Sequence, residues 1–354
     1  MKKTVAVALS GGLDSSVAAL LLKKNKCHVI GLHLDTGFEG DFQEGPYERP
    51  HDPAARARRL AEQIGIEFQS IDCADIFKRE VVDYFIGAYA GGKTPSPCVV
   101  CNRRIKFHIL LKEARALGAT ALATGHYARV LKTAGGRTLL MKGIDPGKDQ
   151  SYFLCRLTQA DLRYALFPLG EYTKAHVQAL AEASGLVCCS SRESQELCFV
   201  TADSYKEFLA RYGKLSPNPG PIVNLDNQVV GQHQGLHGYT IGQRRGIGIP
   251  GPEPYYVVAF DMDKNALIVG PKLALQSRGC IVEQINWIGI DPPTGPIWVK
   301  TRLRYRHSEA GSVLFPVDGE TARVVFVRAQ EAATPGQAAV FYQGEKVLGG
   351  GWIA

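Results

Sequence analysis

The sequence predicts an α/β protein in which a parallel sheet covered by helices forms the N-terminal domain and two smaller β-rich domains follow. Apolar runs of strand length alternate with helix-like segments over the first two thirds of the chain. After about residue 212 helical periodicity disappears, and 12 of the 19 prolines lie in the last 140 residues. The length of 354 residues also exceeds one typical domain. We therefore expect domains at 1–210, 211–277 and 278–354.

The elements of the first domain follow from local signals. The predicted segments are strand 4–9, helix 15–24, strand 27–34, helix 54–64, strand 67–71, a helical stretch at 81–89, helix 102–117 and strand 121–124. Asp52 and Pro53 supply an N-cap and a first-turn proline, and Gly65 and Gly118 end their helices. Because parallel sheets bind ligands at the carboxyl ends of their strands, the site is expected there.

Composition excludes several classes of protein. A hydrophobic content of 45% with 21% charged residues is typical of a globular chain, not of disorder, collagen or a coiled coil. No apolar run approaches the ~18 residues of a membrane helix, and Ser10 ends the first run too early for a signal peptide. Nine cysteines without an export signal indicate the reducing cytosol. We expect a cytoplasmic protein, monomeric when free, with no membrane partner.

The loop Ser10-Gly-Gly-Leu-Asp-Ser-Ser16 lies between the first strand and the first helix. Two glycines allow a tight turn and a close approach to a ligand, and the helix start offers N–H groups and a positive dipole end to a phosphate. The loop lacks the lysine of the common phosphate-binding motif. It resembles the pyrophosphate loop (PP-loop) of the ATP pyrophosphatases, which cleave ATP between its α and β phosphates to adenylate a substrate oxygen.

Three cysteines stand in contexts that suggest chemistry. Cys98 and Cys101 open the predicted helix 102–117, and Cys198 lies in Ser-Gln-Glu-Leu-Cys-Phe. A helix N-terminus and neighbouring cations predict lowered thiol pKa values at Cys98 and Cys101. A zinc site is disfavoured, because no second C-x-x-C or H-x-x-x-H follows at usable spacing. Most other cysteines are expected to be small buried hydrophobic residues.

Around these cysteines the chain resembles the bacterial tRNA 2-thiouridylases, the MnmA family. The matching stretches appear in family order and are SGGLDSSVAALLL, CNRRIKFHILLKEARALGATALATGHYAR, KDQSYFL, SQELCFV and GLHGYTIGQRRGIGI. The resemblance implies an adenine nucleotide α-hydrolase-like (PP-loop) fold in the first domain. It also implies ATP-dependent 2-thiolation of the wobble uridine of tRNA, by adenylation of the uracil 2-oxygen and transfer of sulfur. ATP, Mg²⁺, tRNA and a sulfur donor, either a cysteine desulfurase or a sulfur carrier protein, are the implied cofactors and partners.

The resemblance assigns site residues position by position. Cys101 is implied to be the nucleophile of the sulfur relay and Cys198 the persulfide carrier. The implied tRNA contacts are Lys148, Asp149 and Gln150. The implied ATP-binding residues are Ala8, Leu9, Ser10, Gly11, Gly12, Leu13, Asp14, Ser15, Leu34 and Gly125.

Two departures from the family pattern stand out. Cys98 occupies the place of the family's usual aspartate, so that a third thiol replaces a carboxylate. Cys98, Cys101 and Cys198 would then bind three irons of a [4Fe-4S] cluster whose fourth iron carries hydrosulfide, or a cluster-free persulfide relay would use Cys101 and Cys198. Both routes stay open at this point. Residues 34–51 also depart, and contacts assigned to that segment are not transferred.

A basic segment predicts an RNA surface. From Trp298 to His307 cations alternate with apolar residues, which would place Lys300, Arg302, Arg304 and Arg306 on one strand face. Such a row suits backbone phosphates, although a charged edge strand that prevents aggregation has the same pattern. The resemblance places tRNA contacts on Arg304 and Tyr305, and Gln243 and Arg244 form a second candidate. The net charge of +7 is compatible with a nucleic-acid partner.

Two other functions are compatible with the loop. A PP-loop enzyme that adenylates a different, small substrate would leave the cysteines and the basic segment unexplained. A non-catalytic, redox-sensing RNA-binding protein would bind tRNA without forming AMP.

Overall fold

A computed structural model describes residues 2–38, 53–186, 197–200, 205–251 and 253–354. Its strands are β1 (Thr4–Ala8), β2 (His28–Asp35), β3 (Glu67–Asp72), β4 (Leu122–Ala123), β5 (Ala128–Lys132), β6 (Thr138–Lys142), β7 (Ala165–Leu166), β8 (Gly220–Val223), β9 (Val229–His233), β10 (Tyr256–Asp261), β11 (Ala266–Gly270), β12 (Gln276–Asn286), β13 (Ile297–Arg302), β14 (Ala310–Pro316), β15 (Ala322–Glu331), β16 (Ala338–Gln343) and β17 (Lys346–Ile353).

The α-helices are α1 (Leu13–Lys24), α2 (Pro53–Ile64), α3 (Ala74–Phe77), α4 (Asp83–Ala90), α5 (Pro97–Cys101), α6 (Leu111–Ala116), α7 (Gln159–Tyr164), α8 (Lys174–Ala183) and α9 (Tyr205–Gly213). A π-helical stretch, Lys78–Val82, joins α3 to α4, and another, Asn102–Leu110, joins α5 to α6. Short 3₁₀ turns cover Ser151–Leu154, Leu236–Gly238 and Lys272–Leu275. Within the described ranges no helix is both long enough and apolar enough to cross a bilayer.

The N-terminal domain is built on a parallel sheet in the order β3-β2-β1-β4-β7. Its central strand β1 is buried, with Val5, Ala6 and Val7 fully inaccessible, because helices cover both faces of such a sheet. The predicted parallel α/β fold is confirmed.

The two β-rich parts follow it along the chain. Strands β8–β11 form a sheet in the order β10-β11-β8-β9, and β12–β17 form a larger antiparallel sheet. The hairpin β5–β6 leaves the N-terminal domain and pairs with β17 of that larger sheet through Met141 and Lys346. Helical and strand periodicity did not predict the pairing of β6 with β17, because pairing between strands two hundred residues apart leaves no local pattern. The hairpin fixes the C-terminal sheet against the N-terminal domain.

Two sequence-based boundaries were wrong. The helix predicted at 102–117 begins at Pro97, so Cys98 lies in its first turn. The basic strand predicted to reach His307 ends at Arg302 and is followed by bends and turns. Asp52, Cys188 and Cys189 lie outside the described residues.

Candidate active site

The predicted nucleotide-binding residues meet at one edge of the parallel sheet. Strand β1 pairs with β2 on one side and with β4 on the other, so their carboxyl ends lie next to each other. Leu34 stands near the end of β2, and Gly125 follows β4. These residues therefore flank the loop that leaves β1.

The loop is folded by its own hydroxyl groups. Gly11 adopts φ +75°, a backbone conformation that favours glycine. The Ser15 and Ser16 hydroxyls donate to the Gly12 carbonyl at 3.0 and 2.9 Å, and the Ser10 N–H donates to Ser15 Oγ at 3.3 Å. No side chain in the described residues caps the α1 N-terminus at Gly12, whereas Thr173 caps α8. The first-turn N–H groups of α1 are thus available for an anion.

Gly125 and Arg56 pack closely against the loop. A Cβ on Gly125 would lie 2.9 Å from the backbone C of Asp14 and N of Ser15, so any side chain here would displace the loop. On the other side, a Cβ on Gly11 would lie 2.9 Å from Arg56 Nε. That Nε is buried and has no hydrogen-bond partner among the residues that the structure describes. Sequence reasoning missed Arg56, because nothing in α2 marks it as a neighbour of the loop.

Asp14 has two partners that the sequence did not reveal. The Tyr127 hydroxyl donates to Asp14 Oδ1 at 2.8 Å, and Lys174 Nζ lies 2.7 Å from the same oxygen. Tyr127 is buried, and Lys174 is the first residue of α8. A carboxylate, a phenol and an ammonium group therefore converge beside the loop.

The cysteine-bearing helix is positioned by its sequence. Pro97 stands at its first turn, where its fixed φ and missing N–H fit a helix start. Asn102 is buried, and its Nδ2 donates to the Phe153 carbonyl at 3.1 Å. This bond ties the helix to the turn that follows Lys148–Gln150. Cys98 and Cys101 are both partly exposed.

The predicted lowering of the cysteine pKa values was wrong. Burial raises the pKa of both Cys98 and Cys101 to about 11, and Lys106 only partly opposes this. Removal of a thiolate from water costs more free energy than the nearby cation offsets. Both side chains are consequently neutral thiols at pH 7.

Cys198 is held close to this pair by an aromatic anchor. The next residue, Phe199, is buried, with its ring 5.3 Å from that of Phe85 and 5.3 Å from that of Phe208. Cys198 itself is exposed. Negative charge on Cys198 raises the pKa of Cys98. Negative charge on Cys98 likewise raises the pKa of Cys101. Cys98 thus couples electrostatically to both of the other thiols.

Lys106 connects the cysteines with the nucleotide loop. Its positive charge lowers the pKa of Cys98, Cys101 and His126. His126 follows Gly125, which is packed on the loop, and its Nδ1 lies 2.6 Å from Thr124 Oγ1. Burial, with Lys106, lowers the pKa of His126 well below its usual value, so the imidazole is neutral. Lys106 therefore lies within electrostatic range of both thiols and of His126, next to the glycine that packs on the loop.

The three cysteines do not form a metal-binding group in this arrangement. In the parts of the chain that the structure describes, which include Cys98, Cys101 and Cys198, no three His, Cys, Asp or Glu side chains gather as metal ligands would. The donor set of a cluster is thus not assembled here.

The predicted RNA-binding residues divide into exposed and buried groups. Lys148 and Gln150 are partly exposed, and Gln150 Oε1 accepts the Tyr127 N–H at 3.0 Å. Asp149 is buried, and its carboxylate accepts from the Gly143 and Ser151 N–H groups and from Arg302. The buried Asp149 carboxylate therefore holds the turn in place, and the contact of Asp149 with tRNA stays a prediction.

Arg304 and Tyr305 lie beyond the end of β13. Arg304 is exposed, whereas the Tyr305 ring lies 4.5 Å from the ring of Phe153. Arg302, predicted to share a face with Arg304, points to Asp149 instead. In the separate loop after residue 240, Gln243 bonds within its own turn, and Arg244 is exposed beside an open pocket of about 430 Å³.

Comparison with known proteins matches the whole chain. Family profiles described as the tRNA methyl transferase HUP domain, the tRNA methyl transferase PRC-barrel domain and the aminomethyltransferase beta-barrel domain match residues 3–202, 206–271 and 277–353. A protein of Geotalea uraniireducens named tRNA-specific 2-thiouridylase MnmA is 45% identical, over 99% of this chain and 95% of its own length. Proteins of the same name from Halothermothrix orenii and Chloroflexus aggregans are 44% and 46% identical, each over 99% of this chain and 98% of their own length.

Identity at this level over nearly the full length of both chains far exceeds what a shared fold alone produces. It extends across the loop, the cysteine helix and both β-rich parts, with no large segment left over in either chain. The resemblance expected from the sequence motifs is thereby confirmed, and the chain belongs to the MnmA family of tRNA-specific 2-thiouridylases.

Proposed function

We propose that this chain catalyses ATP-dependent 2-thiolation of the wobble uridine of tRNA. Besides family membership, the observation that carries the proposal is the series of hydrogen bonds that joins the cysteine helix to the loop. Asn102 Nδ2 donates to the Phe153 carbonyl, and the Phe153 N–H donates to the Gln150 carbonyl. Gln150 Oε1 in turn accepts the Tyr127 N–H, and the Tyr127 hydroxyl donates to Asp14 in the loop. An enzyme that activates a base with ATP and then replaces its oxygen with sulfur needs a nucleotide-binding loop and reactive thiols in the same site.

The first step is adenylation of the base. The uridine O2 attacks the α phosphorus of ATP, the bond to the β phosphate breaks, pyrophosphate leaves with the electron pair, and the N3 proton is released. The loop N–H groups and hydroxyls of Ser10 to Ser15 bind the phosphates. Asp14 and the phosphate oxygens form a donor set that suits Mg²⁺, which would neutralise phosphate charge when bound. The product carries AMP on O2, a far better leaving group than the original oxygen.

The second step delivers sulfur. A persulfide on Cys198 attacks C2 of the adenylated base, and AMP departs with the C2–O bond pair. Cys101 then loses its proton to solvent and attacks Cys198 Sγ as a thiolate. The bond between Sγ and the outer sulfur breaks, its electron pair leaves with the sulfur on C2, and 2-thiouridine regains a proton at N3 while a Cys101–Cys198 disulfide remains. An external thiol reductant restores both thiols. Cys98, which couples to both residues, is an alternative attacking thiol, and single variants separate the two.

The cluster route places a different demand on the same cysteines. It requires Cys98, Cys101 and Cys198 to converge on one group of irons, and the described structure does not assemble them in this way. We therefore derive no step through a cluster. Iron and acid-labile sulfide per chain, measured after anaerobic purification and reconstitution, test this choice. About four irons that are lost in Cys98→Ala would contradict the relay, whereas no iron in either protein supports it.

The substrate and the sulfur source complete the proposal. Lys148, Gln150, Arg304, Tyr305, Gln243 and Arg244 are the proposed tRNA contacts. The exposed Cys198 is the residue that a cysteine desulfurase or sulfur carrier protein would load. Loading by a macromolecular donor requires such exposure.

The test uses the full-length enzyme with unmodified tRNA transcript, ATP and a cysteine desulfurase with cysteine. We expect tRNA-dependent AMP and 2-thiouridine, detected by mass analysis of digested tRNA. Asp14→Ala should abolish both products, whereas Cys198→Ala should still adenylate the tRNA and release pyrophosphate but should form no thiouridine. Cys280→Ala, which removes a partly buried thiol of the C-terminal sheet, is the matched control and should retain both.

Two outcomes would replace the proposal. AMP formed from a small molecule without tRNA would indicate an adenylating synthetase. Binding of tRNA that is unaffected by ATP, with no AMP formed, would indicate a non-catalytic RNA-binding protein.

A further inference from the structure

The nucleotide loop carries no cation of its own. Between Ser10 and Ser16 there is no lysine or arginine, although ATP brings several negative charges to the loop. When the bond to the α phosphorus breaks, the departing pyrophosphate carries more negative charge than the same phosphates did within ATP. The loop hydroxyls and N–H groups supply only partial charges. A protein side chain that adds a full positive charge beside the departing pyrophosphate must therefore come from outside the loop.

Lys174 brings such a charge from 160 residues downstream. Its Nζ lies 2.7 Å from Asp14 Oδ1, and the ammonium lies 6.0 Å from the centre of the Tyr127 ring. The Lys174 side chain is only 17% exposed. Its backbone N–H donates to Asp145 Oδ2 at 2.9 Å, directly after the cap residue Thr173. Both ends of this residue are thus held beside the loop.

The packing of two helices explains how Lys174 reaches the loop. Helices α1 and α8 lie side by side and run in the same direction. Asp14 and Lys174 pair at their N-terminal ends, and Lys24 Nζ lies 3.3 Å from Ser184 Oγ at their C-terminal ends. Val17 and Val177 belong to the apolar cluster between them. The positive ends of both helix dipoles therefore point toward the same side as the ammonium.

We propose that Lys174 is a catalytic residue of the adenylation step, an inference that rests on the proposed function. Asp14 and Tyr127 hold the ammonium at the loop before ATP binds. When ATP occupies the loop, Lys174 contacts oxygens of the β and γ phosphates. As the bond from the α phosphorus to the bridging oxygen breaks, the electron pair moves onto pyrophosphate, and Lys174 stabilises the charge that develops there.

The test compares Lys174→Met with Lys24→Met in the full-length enzyme. Lys24 bridges the same two helices at their opposite ends, so it controls for loss of a lysine between α1 and α8. We expect Lys174→Met to slow tRNA-dependent pyrophosphate release by roughly 10²–10³-fold. It should also weaken ATP binding about tenfold or more while AMP binding stays unchanged, because AMP lacks the β and γ phosphates. Lys174→Arg should restore part of the rate.

Each other outcome has a defined meaning. Rates and affinities of Lys174→Met equal to those of Lys24→Met would overturn the proposal. Equal weakening of ATP and AMP binding would show that Lys174 only supports the fold. If the unaltered enzyme released no pyrophosphate with tRNA, the proposed function would fail, and the difference between ATP and AMP binding would still decide whether Lys174 contacts pyrophosphate. If Lys174→Met does not fold, Lys174→Gln keeps a polar end near Asp14 and permits the same measurements.

Discussion

The guanidinium of Arg302 lies 2.9 Å from the Asp149 carboxylate, across the junction between the C-terminal sheet and the turn that carries Lys148 and Gln150. The Asp149 side chain is 1% exposed and that of Arg302 is 14% exposed. The same carboxylate accepts hydrogen bonds from Gly143 and from Ser151. One buried charge pair therefore sets the position of a proposed tRNA-binding turn relative to the sheet.

Arg302→Met should destabilise the protein by about 3–5 kcal/mol, because it leaves Asp149 buried without its cation. Urea unfolding measures the loss. Lys300→Met is the matched control on the same strand, since Lys300 is 59% exposed and lies 3.7 Å from Glu309. It should cost less than about 1 kcal/mol. Similar decreases in the free energy of unfolding of the two variants would show that the Arg302–Asp149 pair stabilises the protein no more than an exposed ion pair does.

Alkylation should report the raised pKa values of Cys98 and Cys101. Because both thiols ionise only near pH 11, the thiolate fraction grows with pH throughout the neutral range. The rate of iodoacetamide labelling at each should rise about tenfold per pH unit between pH 7 and 9. Peptide mass analysis resolves the two sites. A plateau near pH 8 would contradict the predicted burial.

Lys106→Gln should slow that labelling further, because the lost charge no longer lowers either thiol pKa. Arg104→Gln removes an exposed cation from the same helix and should leave the labelling rates unchanged. An equal effect of both substitutions would mean that general surface charge, and not Lys106, sets the reactivity.

Gly125→Ala should impair ATP binding without unfolding the protein. The added methyl group would lie 2.9 Å from the backbone of Asp14 and Ser15, so the start of α1 must shift. We expect a loss of about tenfold or more in ATP affinity, since the loop N–H groups would lose their alignment with the phosphates. Gly87→Ala is the control, because its added methyl group would meet no described residue within 4 Å. Unchanged ATP affinity in both variants would refute the close packing of Gly125 on the loop.

Phe199→Ala should separate the two half-reactions. Loss of this buried ring leaves a cavity beside Phe77, Phe85 and Phe208, at a cost of about 3–5 kcal/mol. Cys198 loses its anchor, so thiouridine formation should fall while tRNA-dependent pyrophosphate release in a single turnover continues. Phe199→Leu, which refills most of the volume, should recover thiolation. An equal fall in pyrophosphate and thiouridine would instead indicate general unfolding.

Local chemistry was enough to predict the framework of the site. Apolar runs of strand length, glycines that end helices and the Ser10–Ser16 loop all act within a few residues, and the parallel sheet with its loop after β1 is present as expected. The motif order also indicated the family, which the full-length relatives confirm. The assigned roles of the individual ATP, tRNA and cysteine residues stay predictions that the experiments above address.

The sequence by itself determined the α/β order, the phosphate loop and the three cysteine positions, because short-range pattern encodes each of them. Only the tertiary structure decided that Asp149 is buried, that Arg302 turns to meet it, and that burial raises the pKa of Cys98 and Cys101. It also brought Lys174 to Asp14. Whether a side chain is buried, and which group it pairs with, depends on which distant segments pack together. The free energy of a charged side chain changes with that packing. No local pattern records such contacts.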